Sequence, residues 1–365
     1  MLKHSLKRSL VPALTALTLV SCFGGSGSKS TDTQQQPAIA KSINSIQLVQ
    51  PKNGDNLARG SEVTIQYLKQ NFNIDSAVAY VDGKPLLSFT DTVAKLKVNT
   101  RKLGAKTLII KFFSNGVEVQ QTSVSINLLP SNPPRLYGYK VVAEYPHNER
   151  SYTQGLQYVN GFMYEGTGGY GESSLQKVDI QTGKVLQIKS LDKMHFGEGI
   201  CLLHDLIYQL TWREQRCLVY DAKTFDQKIT LPYNGEGWGL TSDGIHLIMS
   251  DGSHRVTYRS PQDFSVVKQL EVCSNKGYVS MLNELELIEG ELWANVYTTD
   301  QLVRIDTSSG EVTGVVDVKG LLPKPLRTPQ TDVLNGIAYD ATHKRIFVTG
   351  KNWKRLYEVQ VRKKR

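Results

Sequence analysis

The sequence predicts an all-β protein, a five-bladed β-propeller preceded by a small immunoglobulin-like β-sandwich. Three observations carry that prediction. Apolar residues alternate with period two in short runs bounded by Gly, Asn, Asp and Pro, as half-buried strands joined by tight turns require. In the last two thirds of the chain one composite unit recurs five times, with starts 44, 40, 45 and 52 residues apart. The preceding stretch has the same strand-and-turn texture without that period. With 365 residues, 40% of them hydrophobic, 30 Gly and 13 Pro, the chain has the composition of a folded protein.

Charge and cysteine content narrow the class. Lys and Arg exceed Asp and Glu by 43 − 34 = +9. Lys3, Lys7 and Arg8 fall in the first 21 residues, which carry no acid, and Arg362, Lys363, Lys364 and Arg365 end the chain. The body between is close to neutral, so no nucleic-acid surface is implied. Four Cys in a chain of this length do not make a disulfide scaffold.

Residues 1–21 read as a lipoprotein signal peptide. A basic start leads into the apolar run Leu10 to Val20, too short for the roughly 20 residues of a membrane-spanning helix. Leu19-Val20-Ser21-Cys22 resembles a bacterial lipobox, which implies lipidation at Cys22. Residues 22–40, rich in Gly, Ser, Thr and Gln, read as a flexible tether. The expected location is the bacterial cell envelope, lipid-anchored and extracytoplasmic.

Residues 41–130 are assigned to the sandwich. Val63-Thr-Ile-Gln-Tyr67 alternates cleanly, Ala77 to Val81 ends at the hairpin signal Asp82-Gly83, and Leu108 to Phe113 ends at Ser114-Asn115-Gly116. About seven short strands over this length suit a two-sheet sandwich. No cluster of titratable residues stands out, so a spacer or adhesion role is expected. Leu129-Pro-Ser-Asn-Pro-Pro134 is a stiff linker.

Residues 135–365 form the propeller. The repeats begin at Gln154, Glu198, Trp238, Asn283 and Asn335, each followed by a strand, a turn and a second strand. Four strands per unit of about 45 residues is a propeller blade. The last repeat lacks a fourth strand, whereas the strand-like segment Leu136 to Glu144 precedes the first repeat without a partner. Pairing the two closes the ring and removes two exposed edges. The five blade-start residues then converge at one mouth of the channel, a ring of hydrogen-bonding groups with a single carboxylate, suited to a small polar ligand.

Tyr152-Thr-Gln-Gly-Leu156, Phe196-Gly-Glu-Gly199, Gly237-Trp-Gly-Leu240, Leu282-Asn-Glu-Leu-Glu286 with Trp293-Ala-Asn295, and Asn335-Gly-Ile-Ala338 with Phe347-Val-Thr-Gly-Lys351 resemble the plant-type glutaminyl cyclases. This family of glutaminyl-peptide cyclotransferases has papaya-like and bacterial members. The resemblance covers residues 137–360 and implies a five-bladed propeller that converts N-terminal Gln to pyroglutamate with release of ammonia. Carried over by motif, the site falls on Tyr152, Gln154, Glu198, Trp212, Trp238, Asn283, Tyr297 and Lys351. Tyr152 stands where the papaya pattern has Phe, and Tyr297 where it has Trp. The expected catalytic group is Glu198 as general acid and base, Asn283 and Lys351 on the oxyanion, and Gln154 on the substrate's amide or amine. Tyr152, Trp212, Trp238 and Tyr297 are expected to bind substrate.

The seven His show no ligand spacing and no C-x-x-C motif occurs, so no metal or cofactor is expected, with room left for a structural cation in the channel. Cys201 and Cys217 lie in one repeat, separated by a full strand, and pairing between them stays open. Expected partners are peptides or proteins with an N-terminal Gln and, through the anchor, the membrane; the chain is read as a monomer. A non-catalytic propeller that binds a peptide or glycan at its channel mouth is the alternative.

Overall fold

The computed structural model describes residues 45–364. The signal peptide, Cys22 and the tether lie outside the described residues.

The first 85 described residues make two sheets over one core. Ser45–Gln50, Glu62–Gln70 and Val93–Lys97 form a three-stranded sheet. Asp55–Ala58, Val117–Leu129, Gly104–Ser114, Ser76–Val81 and Lys84–Phe89 form a five-stranded one. Alternation sends Ile65, Tyr67, Leu108, Ile110, Phe112, Ile126 and Leu128 inward to a common cluster, where full burial of each large aliphatic contributes about 2 kcal/mol. Asn115 and Gly116, both at positive φ (49° and 75°), build the tight hairpin that their sequence signals. The eighth strand, Asp55–Ala58, is absent from the sequence reading. It is four residues long with little apolar alternation, and it pairs parallel to Val117–Leu129 at the sheet edge.

The rest of the chain is the five-bladed propeller. Three blades are four-stranded antiparallel sheets spanning Thr153–Ser190, Gly197–Pro232 and Leu240–Glu271. Leu282–Asp317 supplies the four strands of a fourth blade. The fifth consists of Leu334–Asp340, Arg345–Gly350 and Arg355–Lys363, with Arg135–Pro146 paired antiparallel to the last of these as the outer strand. The ring thus closes as the unpaired segment before the first repeat predicts. Arg135–Tyr137 also pair parallel to Gly314–Val316 of the fourth blade, so the start of this strand satisfies the fourth blade's outer edge and merges two blades into an eight-stranded sheet.

The inner strands pack against one another around the axis, and the fifth returns to the first. Glycine permits their approach. A Cβ at Gly155 would lie 2.3 Å from the Ile200 nitrogen, one at Gly199 2.5 Å from the Leu240 nitrogen, and one at Gly239 2.1 Å from the Asn283 oxygen. The repeated site-residue-then-Gly motif is therefore the closure of the ring written in sequence. In the fourth blade Glu284 takes the Gly position. Its carboxylate accepts the backbone N–H groups of Leu156 (3.3 Å) and Ile337 (2.8 Å), tying that blade to the first and fifth.

The sandwich packs on the outside of the third and fourth blades. Leu103 N–H donates to the Ser309 carbonyl (3.0 Å), Ala105 N–H to Glu271 (2.7 Å) and the Tyr278 hydroxyl to Asn127 (2.9 Å). Cys273 of the propeller is buried in the sandwich core. Cys201, Cys217 and Cys273 are all free thiols, which answers the open pairing: Cys201 and Cys217 lie on strands separated by Leu206–Thr211.

Candidate active site

Two structural rules place side chains at one face of the propeller. The inner strand of four blades carries a register shift at its start, between Thr153 and Gly155, Gly197 and Ile200, Leu282 and Leu285, and Leu334 and Ile337. Bulges of this kind turn a side chain out of the regular alternation. They fall at Gln154, Glu198, Asn283 and Asn335. The second rule concerns the second strand of each blade, which runs back to the same face. The residues just after Leu206–Thr211, Glu291–Val296 and Arg345–Gly350 are Trp212, Tyr297 and Lys351.

Together these rules build a pocket of about 240 Å³ lined by Tyr152, Gln154, Phe196, Glu198, Trp212, Trp238, Asn283, Tyr297 and Lys351. All eight residues named from the sequence meet there. The floor is polar and buried, with Gln154, Glu198, Asn283 and Lys351 each under 5% exposed. Asn335, the fifth blade-start residue, lies behind the floor rather than in the lining. It donates to the Thr153 carbonyl (2.9 Å) and to the Gln154 side-chain oxygen (3.3 Å).

The walls form a closed chain of contacts. The Tyr152 ring meets Phe196 edge-on (6.2 Å between centroids), and Phe196 packs on Trp212 (5.5 Å). Trp212 and Trp238 are joined through Glu236, whose Oε2 accepts both indole N–H groups at 2.8 and 3.0 Å. Trp238 meets Tyr297 edge-on (5.5 Å). Lys351 Nζ closes the ring, 5.0 Å from the Tyr297 centroid and 4.7 Å from that of Tyr152.

Burial dominates the electrostatics of the floor. It raises the proton affinity of Glu198 well above the usual carboxylate range; the Lys351 ammonium opposes that shift, and the carboxylates Glu236 and Glu214 add to it. Burial lowers Lys351, against the attraction of Glu198 and Asp332. Desolvation thus outweighs the mutual attraction of the pair. Gln154 Nε2 donates to Glu198 Oε1 (3.0 Å), so its donor is engaged by the protein's own carboxylate, where the sequence reading aims it at substrate. The Asn283 side-chain oxygen is buried without a partner among the described residues, an acceptor available to a ligand N–H.

Glu198 is the single carboxylate among the blade-start residues and in the pocket lining. Glu284 and Glu286 are buried with it, but both turn away from the pocket. Glu286 accepts Tyr339 N–H (3.1 Å) and the Thr241 hydroxyl (3.3 Å), and Glu284 holds the two backbone amides described above. Phe196 and Glu236 are the residues that sequence reasoning missed. Each stands two positions before a blade-start residue, as Tyr152 does before Gln154, and that spacing is the signal that finds them. Among the described residues no three His, Cys, Asp or Glu side chains are grouped to hold a metal ion.

Comparison with known proteins identifies the family. Residues 110–361 match the family model described as Glutamine cyclotransferase. A glutaminyl-peptide cyclotransferase of Arabidopsis thaliana is 38% identical over 232 residues, 62% of this chain and 72% of the relative. The crystal structure of Myxococcus xanthus glutaminyl cyclase superimposes with a TM-score of 0.59 at 31% identity, covering 64% of this chain and all of that one. These matches, on a closed β-propeller, define an enzyme of the glutaminyl-peptide cyclotransferase class. The chain belongs to the glutamine cyclotransferase family.

Proposed function

We propose that this pocket cyclises the N-terminal Gln of peptides and proteins without a metal, with Glu198 carrying the proton. The observation that supports it most directly is Glu198 itself: a buried carboxylate of raised proton affinity, fixed by Gln154 and facing an aromatic pocket with Lys351. A carboxyl shifted toward neutrality can serve as base and then as acid near physiological pH.

The substrate α-amine attacks the side-chain Cδ, forming a C–N bond and a tetrahedral oxyanion. Its proton passes to Glu198 and on to the amide nitrogen; the old C–N bond then breaks, leaving pyroglutamate and ammonia. Asn283 and Lys351 lie in the pocket lining for the charged stages, and loss of one well-placed oxyanion donor typically costs about 3 kcal/mol. The indoles and tyrosine rings restrict the Gln side chain to its folded-back rotamer, the proximity contribution that an intramolecular reaction needs. The lining holds no imidazole or thiolate, which supports a metal-free reaction.

The test is ammonia release from a Gln-initiated dipeptide. Glu198→Gln should lower kcat by about 100-fold or more. Equal release by wild type and variant, or loss of activity with dipicolinate that zinc restores, would sink the reading. For the rest of the chain, the proposal is a lipid anchor at Cys22 in the bacterial envelope, with the immunoglobulin-like sandwich as a spacer, since every lining residue belongs to the propeller. Cys22→Ser should release the protein from the membrane fraction.

A further inference from the structure

We infer that Glu236 is a positioning residue of this pocket: it locks the two indole walls to each other and so fixes the shape of the substrate cleft. The inference rests on the reading of the pocket as the cyclisation site.

The wall is a ring of ring-to-ring contacts with two breaks. Lys351 bridges one, between Tyr297 and Tyr152. The other lies between Trp212 and Trp238, and Glu236 bridges it with a single oxygen that receives both indole N–H donors. Indole nitrogen donates only, so the two rings cannot bond one another and need a shared acceptor. A carboxylate suits the position because its second oxygen is still free for a third donor. That donor is Arg213 Nε, 3.0 Å from Glu236 Oε1, and the same guanidinium stacks 3.7 Å from the Trp212 centroid. Trp212 is thereby clamped on its edge and on one face.

Partial burial would raise the proton affinity of Glu236, but the donors Trp238, Trp212 and Arg213 hold it below the usual range, so it stays ionised. Glu236 itself is absent from the lining and acts on substrate only through the indoles. Because the reaction depends on a folded-back side chain, slack in these two walls affects binding and orientation directly. A misplacement of about 1 Å near a reacting group can cost on the order of 100-fold.

Two variants separate the acceptor from the charge. Glu236→Gln keeps an oxygen for both indoles and gives up only the ion pair with Arg213, whose side chain is 61% exposed, so that the pair itself contributes little. Glu236→Ala leaves both N–H groups without the acceptor. Full-length protein is assayed with a Gln-initiated dipeptide and by acrylamide quenching of tryptophan fluorescence, with thermal melts as a folding check. Glu236→Ala should raise KM about ten-fold and increase quenching, whereas Glu236→Gln should stay within about three-fold of wild type in KM. A merely structural defect would lower the active fraction and leave KM unchanged. Wild-type KM and quenching in Glu236→Ala, or an equal KM defect in both variants, overturns the inference. Absence of ammonia release by wild type would sink the cyclase reading instead, and the quenching comparison would still decide the role of Glu236 in the walls.

Discussion

Gln154 binds Glu198 through its side-chain amide, 3.0 Å from Nε2 to Oε1, while Asn335 binds the Gln154 carbonyl from behind. This relay runs from the fifth blade through the first to the second and sets the amide orientation, because Asn335 supplies the donor and Gln154 must present its own N–H groups forward. A donor aimed at a carboxylate favours its ionised form.

Replacement of Gln154 by Leu should therefore raise the proton affinity of Glu198 further. The ionised base then forms at higher pH, so the acid limb of the kcat/KM profile should move upward. On the acid side of the profile the loss should be about ten-fold, the usual scale for a hydrogen bond to a charged group. The pH–rate profile of the variant checks this, and an unmoved acid limb would assign Gln154 to substrate.

Tyr152 carries a hydroxyl where the papaya-like pattern has none, and that hydroxyl donates to Asp332 at the rim (3.1 Å). Its ring supplies the face beneath Lys351 and the edge against Phe196. Tyr152→Phe keeps both and removes only the rim bond, so kcat/KM should remain within about three-fold of wild type. Tyr152→Ala, which takes away the face, should lose far more; steady-state kinetics on the pair separates the two roles.

Much of the propeller was legible because closure leaves marks in sequence. Each turn of the ring repeats one pattern, and the glycines after Gln154, Glu198 and Trp238 stand where inner strands meet backbone to backbone. Of the candidate site, Gln154, Glu198, Trp238 and Asn283 were legible for the same reason, as blade starts, whereas Tyr152, Trp212, Tyr297 and Lys351 came only from the resemblance to the glutaminyl cyclases. Glu236 shares the spacing of Tyr152 and Phe196 before a blade start, but its function lies in two partners 24 and 2 residues away, which that spacing does not reveal. Asp55–Ala58 was missed because four half-polar residues take strand form only from the edge they join.

Gly239 offers a direct test of ring closure. A methyl group there would sit 2.1 Å from the Asn283 carbonyl, which is backbone and cannot step aside. Gly239→Ala should destabilise the fold by about 3 kcal/mol, the upper end for overpacking a tight interior, and displace Asn283 in the pocket. Gly290 has positive φ (85°) and nothing within 4 Å of a Cβ, so Gly290→Ala should cost only the left-handed backbone penalty of about 1–2 kcal/mol. Urea denaturation of the two variants distinguishes contact from strain.

Glu286 should make the stability of the propeller fall as pH rises. Burial lifts its pKa from 4.5 to about 8, only partly offset by the donors Tyr339 and Thr241. Between those values the folded chain holds a proton that the unfolded chain has released, so unfolding becomes easier with each step of pH until about 8, above which the loss is complete. Glu284 and Glu198 are shifted the same way. The raised His147 beside Glu165 adds in the same sense, since a cation favoured in the fold is lost as pH rises. In Glu286→Gln the carbonyl can still accept the Tyr339 N–H, and the amide can donate to the Thr241 oxygen. The variant should melt on the order of 5 °C above wild type at pH 8 and close to it at pH 5. Parallel melting curves across that range would show that Glu286 ionises in the fold as it does in the unfolded chain.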